Sequence, residues 1–147
     1  MKSRSEGRTE REVMRQVIDA ARALGLDMER ENVGVGVNPK GQQVRFGRVG
    51  RPDLSCILPD GRLCRVEVKR EGYEPTKLRG KAREHFERQL AEMKRINESN
   101  GVAFWVDDAV EFLTIMRFIL QGYRVIEDGY SRLHLVHGLY DDCGGYA

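Results

Sequence analysis

The stretch from Arg51 to Lys69 constrains the fold of this chain more than any other. It consists of two short apolar runs on either side of Pro59-Asp60-Gly61. Proline presets φ at the first central position of a type I turn, and glycine takes the left-handed position that follows. The three residues therefore suit a three-residue hairpin loop. Such a loop pairs Leu58 with Arg62. Stepping outward, it sets Cys56 opposite Cys64 and Asp53 opposite Glu67. Directly opposed residues share a face, with Cβ atoms roughly 5 Å apart. Lys69, two residues past Glu67, lies on that face too. The other face takes Leu54, Cys56, Leu58, Cys64, Val66 and Val68, which is core composition. A two-residue loop would pair Asp53 with Val68 and send the two acids to opposite faces; the Pro-Asp-Gly chemistry favours the first register.

The chain is 147 residues long, one domain with room for a real core. No apolar run approaches the ~20 residues that a bilayer span needs. The segment Met1–Arg8 has no apolar stretch of the kind that marks a secretory leader, so a cytoplasmic location is expected and a membrane is not. The three cysteines, Cys56, Cys64 and Cys143, are odd in number and lack metal-ligand spacing, so reduced thiols are expected. The 25 basic and 23 acidic residues leave a net charge of +2, too balanced to point to nucleic acid by itself. The local distribution says more. Lys69, Arg70, Lys77, Arg79, Lys81 and Arg83 crowd one segment. Such a cluster can meet phosphates, or it can simply solvate the start of a helix.

Residues 1–8 are polar and expected to be disordered. Thr9 and Glu12 form a capping-box pair. The helix they open runs to about Leu24 on a stripe of Val13, Val17, Ala20 and Leu24, and Gly25 stops it. Glu10 extends that stripe by one step and turns its carboxylate toward the protein; an acid there also complements the dipole of the first turn. Asn32–Val37 and Gln42–Phe46 read as two strands joined by an Asn38-Pro39-Lys40-Gly41 turn. After the central hairpin comes a helix from Lys81 to Asn97, with a stripe of Phe86, Leu90, Met93 and Ile96/Asn97 and with Gln89 at its edge. Val102–Val106 is a short buried strand, and Asp107-Asp108 caps a helix from Ala109 to about Gln121. Arg132–Val136 suits an edge strand, and Asp141–Ala147 a loose tail. The order α-β-β-β-β-α-β-α fits an α/β (α+β) fold with one mixed sheet flanked by helices.

Two facing carboxylates repel, and one stays protonated unless a cation relieves them. Lys69 relieves part of the repulsion, and a divalent ion relieves more; hard oxygen donors suit Mg2+ or Mn2+. An ion there can polarise a phosphoryl group and acidify water, with Lys69 stabilising developing charge. The same residues also suit a plain Asp-Lys-Glu ladder on a solvated sheet face.

The ordered set resembles a known family. Pro52-Asp53, then thirteen residues (54–66), then Glu67-Val68-Lys69 is the signature of the PD-(D/E)xK nuclease superfamily. Glu10 at the head of the first helix, Gly50-Arg51 before the first motif and Asp60-Gly61-Arg62 at the turn narrow it. So does Gln89 on the next helix, twelve residues before Gly101. Together, over residues 9 to 112, they resemble the VRR-NUC domain, the virus-type replication-repair nuclease module, in its stand-alone phage or bacterial form. Where that family carries a doubled glycine, this chain has Asn100-Gly101.

The resemblance implies a restriction-endonuclease-like fold over residues 9–121, with 122–147 as a C-terminal extension of unknown role. It implies that Asp53, Glu67 and the Val68 backbone carbonyl ligate Mg2+ or Mn2+, with Glu10 binding directly or through water. Lys69 would be the catalytic lysine, and Gln89 would orient Lys69 or a water. The implied activity is hydrolysis of phosphodiester bonds in branched DNA, such as a four-way junction, flap or fork, by a homodimer. Arg48, Arg51, Arg70, Lys77 and Arg79 are the candidate DNA contacts. A sequence-specific restriction-type endonuclease shares the same metal core, and a non-catalytic DNA-binding module could keep the fold alone. His85, one turn before Gln89, could reach the site, although a lone histidine is more often a filler. His134 and His137, three apart on a strand, fall on opposite faces and make a poor metal pair. Phe104 and Trp105 are expected in the core.

Overall fold

The computed structural model describes residues 7–31, 34–46, 52–126 and 134–137. Helix α1 spans Glu10–Ala23. The Thr9 hydroxyl accepts the Glu12 N–H at 3.2 Å, the expected cap. The buried stripe is Val13, Met14, Val17 and Ala21, so it lies slightly around the helix from the expected one. Ala20 and Leu24 are only partly buried. Strand β1, Glu29–Arg30, follows. Two charged residues carry no periodicity, so nothing in the sequence announced it. Strands β2 (Gly34–Val37) and β3 (Gln43–Phe46) form the expected hairpin. At its turn, Asn38 Oδ1 accepts the N–H groups of Lys40 and Gln42. Asn32 and Val33 lie outside the described residues.

Strands β4 (Leu54–Ile57) and β5 (Leu63–Val68) form the central hairpin. Leu54 stands opposite Val66, and Cys56 opposite Cys64. Leu58 N–H donates to Arg62 O at 2.9 Å, and Gly61, at φ 94°, donates to Leu58 O at 2.8 Å. The three-residue loop and its register are as expected. Cys56 and Cys64 are free, buried thiols. A single 3-10 turn at Pro75–Lys77 precedes helix α2, Gly80–Glu98. Strand β6 (Val102–Val106), helix α3 (Ala109–Ile119) and strands β7 (Tyr123–Ile126) and β8 (His134–His137) complete the elements.

The main sheet has the order β1-β4-β5-β6. β1/β4 and β4/β5 are antiparallel, while β5/β6 is parallel, with α2 in the crossover between them. The two sheet faces carry separate cores. Val13 and Val17 of α1 and Phe112 and Met116 of α3 meet Leu54, Val66, Val102 and Phe104 on one face. Phe86, Met93 and Ile96 of α2 meet Ala103 and Trp105 on the other. β6 is buried on both faces, which explains its unbroken apolar run. The result is a mixed α/β fold in three layers, a sheet between helices. No helix among the described residues is long and apolar enough to cross a membrane.

One expectation needs correction. The β2–β3 hairpin does not extend the main sheet. It forms its own two-stranded sheet, as β7–β8 does, and β1 takes the free edge of β4. The expected edge strand at 132–136 is β8, and its partner β7 was not foreseen. Val125 of β7 packs into the core. Arg62 ties this end down, donating to Asp60 Oδ2, Ile119 O and Tyr123 O, each at 2.8 Å. Arg8, expected in the disordered N-terminus, exchanges hydrogen bonds with Glu71. Residues 1–6 and the tail with Cys143 lie outside the described residues. The side chains of His134 and His137 also lie outside the description.

Candidate metal centre and active site

The end of β5 gathers the chemistry. The register that pairs Leu54 with Val66 continues to Asp53 and Glu67. Asp53 Oδ2 accepts the Val68 N–H at 3.1 Å, which holds this carboxylate against the strand end. Lys69 N–H donates to Val106 O at 2.9 Å, so the ladder with β6 runs one residue past β5 and Lys69 keeps the face of Glu67. From the α1 layer comes Glu10, the first residue of its helix. Carboxylate oxygens of Glu10, Asp53 and Glu67 all lie within 4.8 Å of one another.

From the opposite layer comes Gln89. Its Oε1 accepts from Lys69 Nζ at 2.7 Å, and its Nε2 donates to Glu67 Oε2 at 2.8 Å. Lys69 Nζ stands 3.2 Å from the same Glu67 oxygen and closes the ring. These three side chains are buried, at 2% exposure for Glu67, 8% for Lys69 and 5% for Gln89. The sequence put Gln89 at the edge of an apolar stripe. Its helix in fact buries Phe86, Gln89, Glu92, Met93 and Ile96, so Gln89 sits within the stripe.

Sequence reasoning missed the aromatic surround of Lys69. Its Nζ lies 5.0 Å from the centre of the Tyr73 ring and 5.6 Å from that of Phe86. Tyr73, Phe86 and Trp105 pack against one another, tilted or edge-on. The ring faces lie against the ammonium group, and the two oxygen acceptors aim it. Phe86 and Trp105 were readable as core residues. Tyr73 follows a loop glycine and had no periodic signal; Asp107 fixes that loop by accepting the Gly72 N–H at 3.1 Å. Of the two acids expected to cap α3, only Asp108 does so, accepting from Val110 N–H.

Burial, and then the charge of Asp53, push the Glu67 carboxyl up to about 8, against the pull of Lys69. Glu10 is raised by the same two causes, with Lys69 and Arg30 opposing. Both shifts are led by burial, with the neighbouring Asp53 carboxylate adding to it. Glu67 Oε1 is buried and has no hydrogen-bond partner among the described residues. Three converging hard oxygen donors, one of them unsatisfied, fit a divalent ion of the Mg2+ or Mn2+ kind.

The structure thus brings Glu10, Asp53, Glu67, Lys69 and Gln89 together, with Val68 between the last two residues of the motif. It does not gather the expected DNA contacts in the same way. Arg70 lies beside the Tyr73 ring, Lys77 pairs with Glu74 at 3.0 Å, and Arg79 donates to Leu78 O. Arg48 and Arg51 lie outside the described residues. His85 is exposed, one turn before Gln89. Burial, Lys69 and Arg88 lower its proton affinity while Asp53 raises it, so His85 feels the charges of the site. No family model, curated protein or solved structure matches this chain.

Proposed function

We propose that this chain is a metal-dependent, structure-specific DNA endonuclease that hydrolyses phosphodiester bonds in branched DNA. In this reading it is a homodimer of the VRR-NUC type that works in the cytoplasm. The observation that carries the reading is the acid cluster of Glu10, Asp53 and Glu67 beside a lysine held by Gln89. A surface ladder has no need to bury a lysine, a glutamate and a glutamine in one closed ring. A site that must aim an ammonium group at a reacting phosphate does.

Asp53 and Glu67 would hold the ion, with Glu10 and the Val68 carbonyl completing the oxygen set. A bound divalent ion supplies Lewis acidity toward phosphate and makes water a better nucleophile at neutral pH. The rest is done by the chain. Lys69 Nζ, held between Gln89 Oε1 and Glu67 Oε2, offers positive charge to the oxygens of the phosphoryl group in flight. Gln89 fixes that direction with its carbonyl and fixes Glu67 with its amide. The Tyr73, Phe86 and Trp105 rings keep water from the buried side of the ammonium group.

Labelled four-way junction, flap, fork and linear duplex substrates, each with Mg2+ and with Mn2+, test the reading. The expected outcome is cleavage of a branched substrate in preference to the duplex. Cutting at one duplex sequence with branched DNA ignored would point instead to a restriction-type enzyme. Binding without any cleavage would leave a non-catalytic module.

A further inference from the structure

Beside the acid cluster, on the α1 side, a cleft of about 420 Å³ is lined by Glu10, Arg11, Met14 and Arg30, so Glu10 is the acid the two share. Arg11 follows Glu10 directly at the start of α1. Arg30 comes from β1, the edge strand, where it pairs with Leu54. Opposed residues share a face, so Arg30 projects on the α1 side of the sheet with Leu54. Its neighbour Glu31 donates its N–H to Asp53 O at 2.7 Å, which fixes β1 against the first residue of the metal motif. Two arginines thus line the same cleft as Glu10.

Several arginines of the fold are held by acids, Arg8 by Glu71, Arg62 by Asp60, Arg65 by Glu31 and Arg95 by Glu92, while others, such as Arg70 and Arg79, are not. Arg11 and Arg30 take part in none of these pairs. Arg30 acts on Glu10 through its charge. Arginine presents a planar fork of donors that matches phosphate oxygens and does not deprotonate. A pair of such forks at the mouth of a metal site suits an anion lying next to the reacting one.

We propose that the cleft between α1 and β1 holds the DNA phosphate adjacent to the one hydrolysed, with Arg11 and Arg30 as positioning residues. The proposal rests on the nuclease reading and adds the path of the substrate. The backbone crosses the end of β5 and passes to the α1 side, away from Gln89. The basic segment after Lys69, where the sequence drew attention, is then not the whole of the DNA-binding surface.

Phosphate contacts of this kind release counterions, about 0.9 per contact on duplex DNA. The test uses the full chain as wild type, as Arg11→Ala/Arg30→Ala and as Arg11→Lys/Arg30→Lys. Both positions are exposed, so neither change should disturb folding. Anisotropy of a fluorescent four-way junction is measured across a salt series with Ca2+ present, and steady-state cleavage of the same junction is measured with Mg2+. The alanine pair is expected to weaken binding ~10-fold and to flatten the slope of log K against log salt by about two. KM should rise in step, with kcat within about threefold, and the lysine pair should recover the slope. If wild type cleaves but the alanine pair leaves slope and KM unchanged, or lowers kcat alone, the cleft assignment is overturned and the nuclease reading stands. If wild type neither binds nor cleaves DNA, the nuclease reading falls and the cleft assignment falls with it.

Discussion

Glu67 stands between opposing demands. Burial and the Asp53 carboxylate favour its proton, while Lys69 favours the anion, and the first two win to give a pKa of about 8. A folded-state value above the unfolded 4.5 has a definite sign. The stabilising share is fully present below about 4.5 and is lost as pH rises through about 8. The metal-free protein should therefore lose stability between pH 5 and pH 9 relative to Glu67→Gln, which keeps the shape and cannot ionise. The difference should reach a few kcal/mol at most. Urea unfolding in a chelating buffer checks this, and parallel pH dependences of the two proteins would contradict it. A divalent ion should reverse the trend, because it binds the carboxylate form. This residue was legible in the sequence. Turn chemistry gave the register, the register set Glu67 across from Asp53, and like charges at that distance demand a partner. Gln89 was legible for a different reason, as an amide where an apolar residue would be cheaper. Tyr73 was not, because a loop position has no period to violate.

At the scale of elements, local rules carried the reading wherever a turn or cap determined geometry. Pro59-Asp60-Gly61 specified one hairpin, and the Asn38–Gly41 turn specified another. Neither says which sheet edge a hairpin joins. That depends on β1, whose two charged residues pair with β4 through backbone groups alone. At the approach to β6, Asn100 and Gly101 are each fixed by a different constraint. Asn100 takes φ 67°, a left-handed conformation that asparagine tolerates better than most residues. Gly101 is held by space. A Cβ there would lie 2.7 Å from Ile96 Cγ2 and 3.1 Å from the backbone oxygens of both Ile96 and Leu63. Gly101→Ala should cost roughly 1–3 kcal/mol, the range for overpacking a tight site. Thermal unfolding would show it, and an unchanged Tm would mean that α2 and β6 have room the structure does not show. Because β6 carries Trp105 and α2 carries Gln89 and Phe86, this junction also sets how the two elements meet around Lys69.

At the scale of the molecule, the three layers explain how distant residues converge. The sheet ends at Glu67–Lys69, α1 brings Glu10 to that end from one side, and α2 brings Gln89 from the other. The hairpin register already set Asp53, Glu67 and Lys69 together, and the layer order shows how Glu10 and Gln89 reach them. The central claim is that this meeting point is a metal-dependent hydrolytic site. The most direct measurement is the rate of Mg2+-dependent cleavage of a labelled four-way junction by wild type, Asp53→Ala and Lys69→Ala, with DNA affinity measured on the same preparations. The account predicts cleavage by wild type, a loss of roughly 10²–10³-fold or more in each variant, and DNA affinity largely retained. Full cleavage by folded Lys69→Ala protein would contradict it.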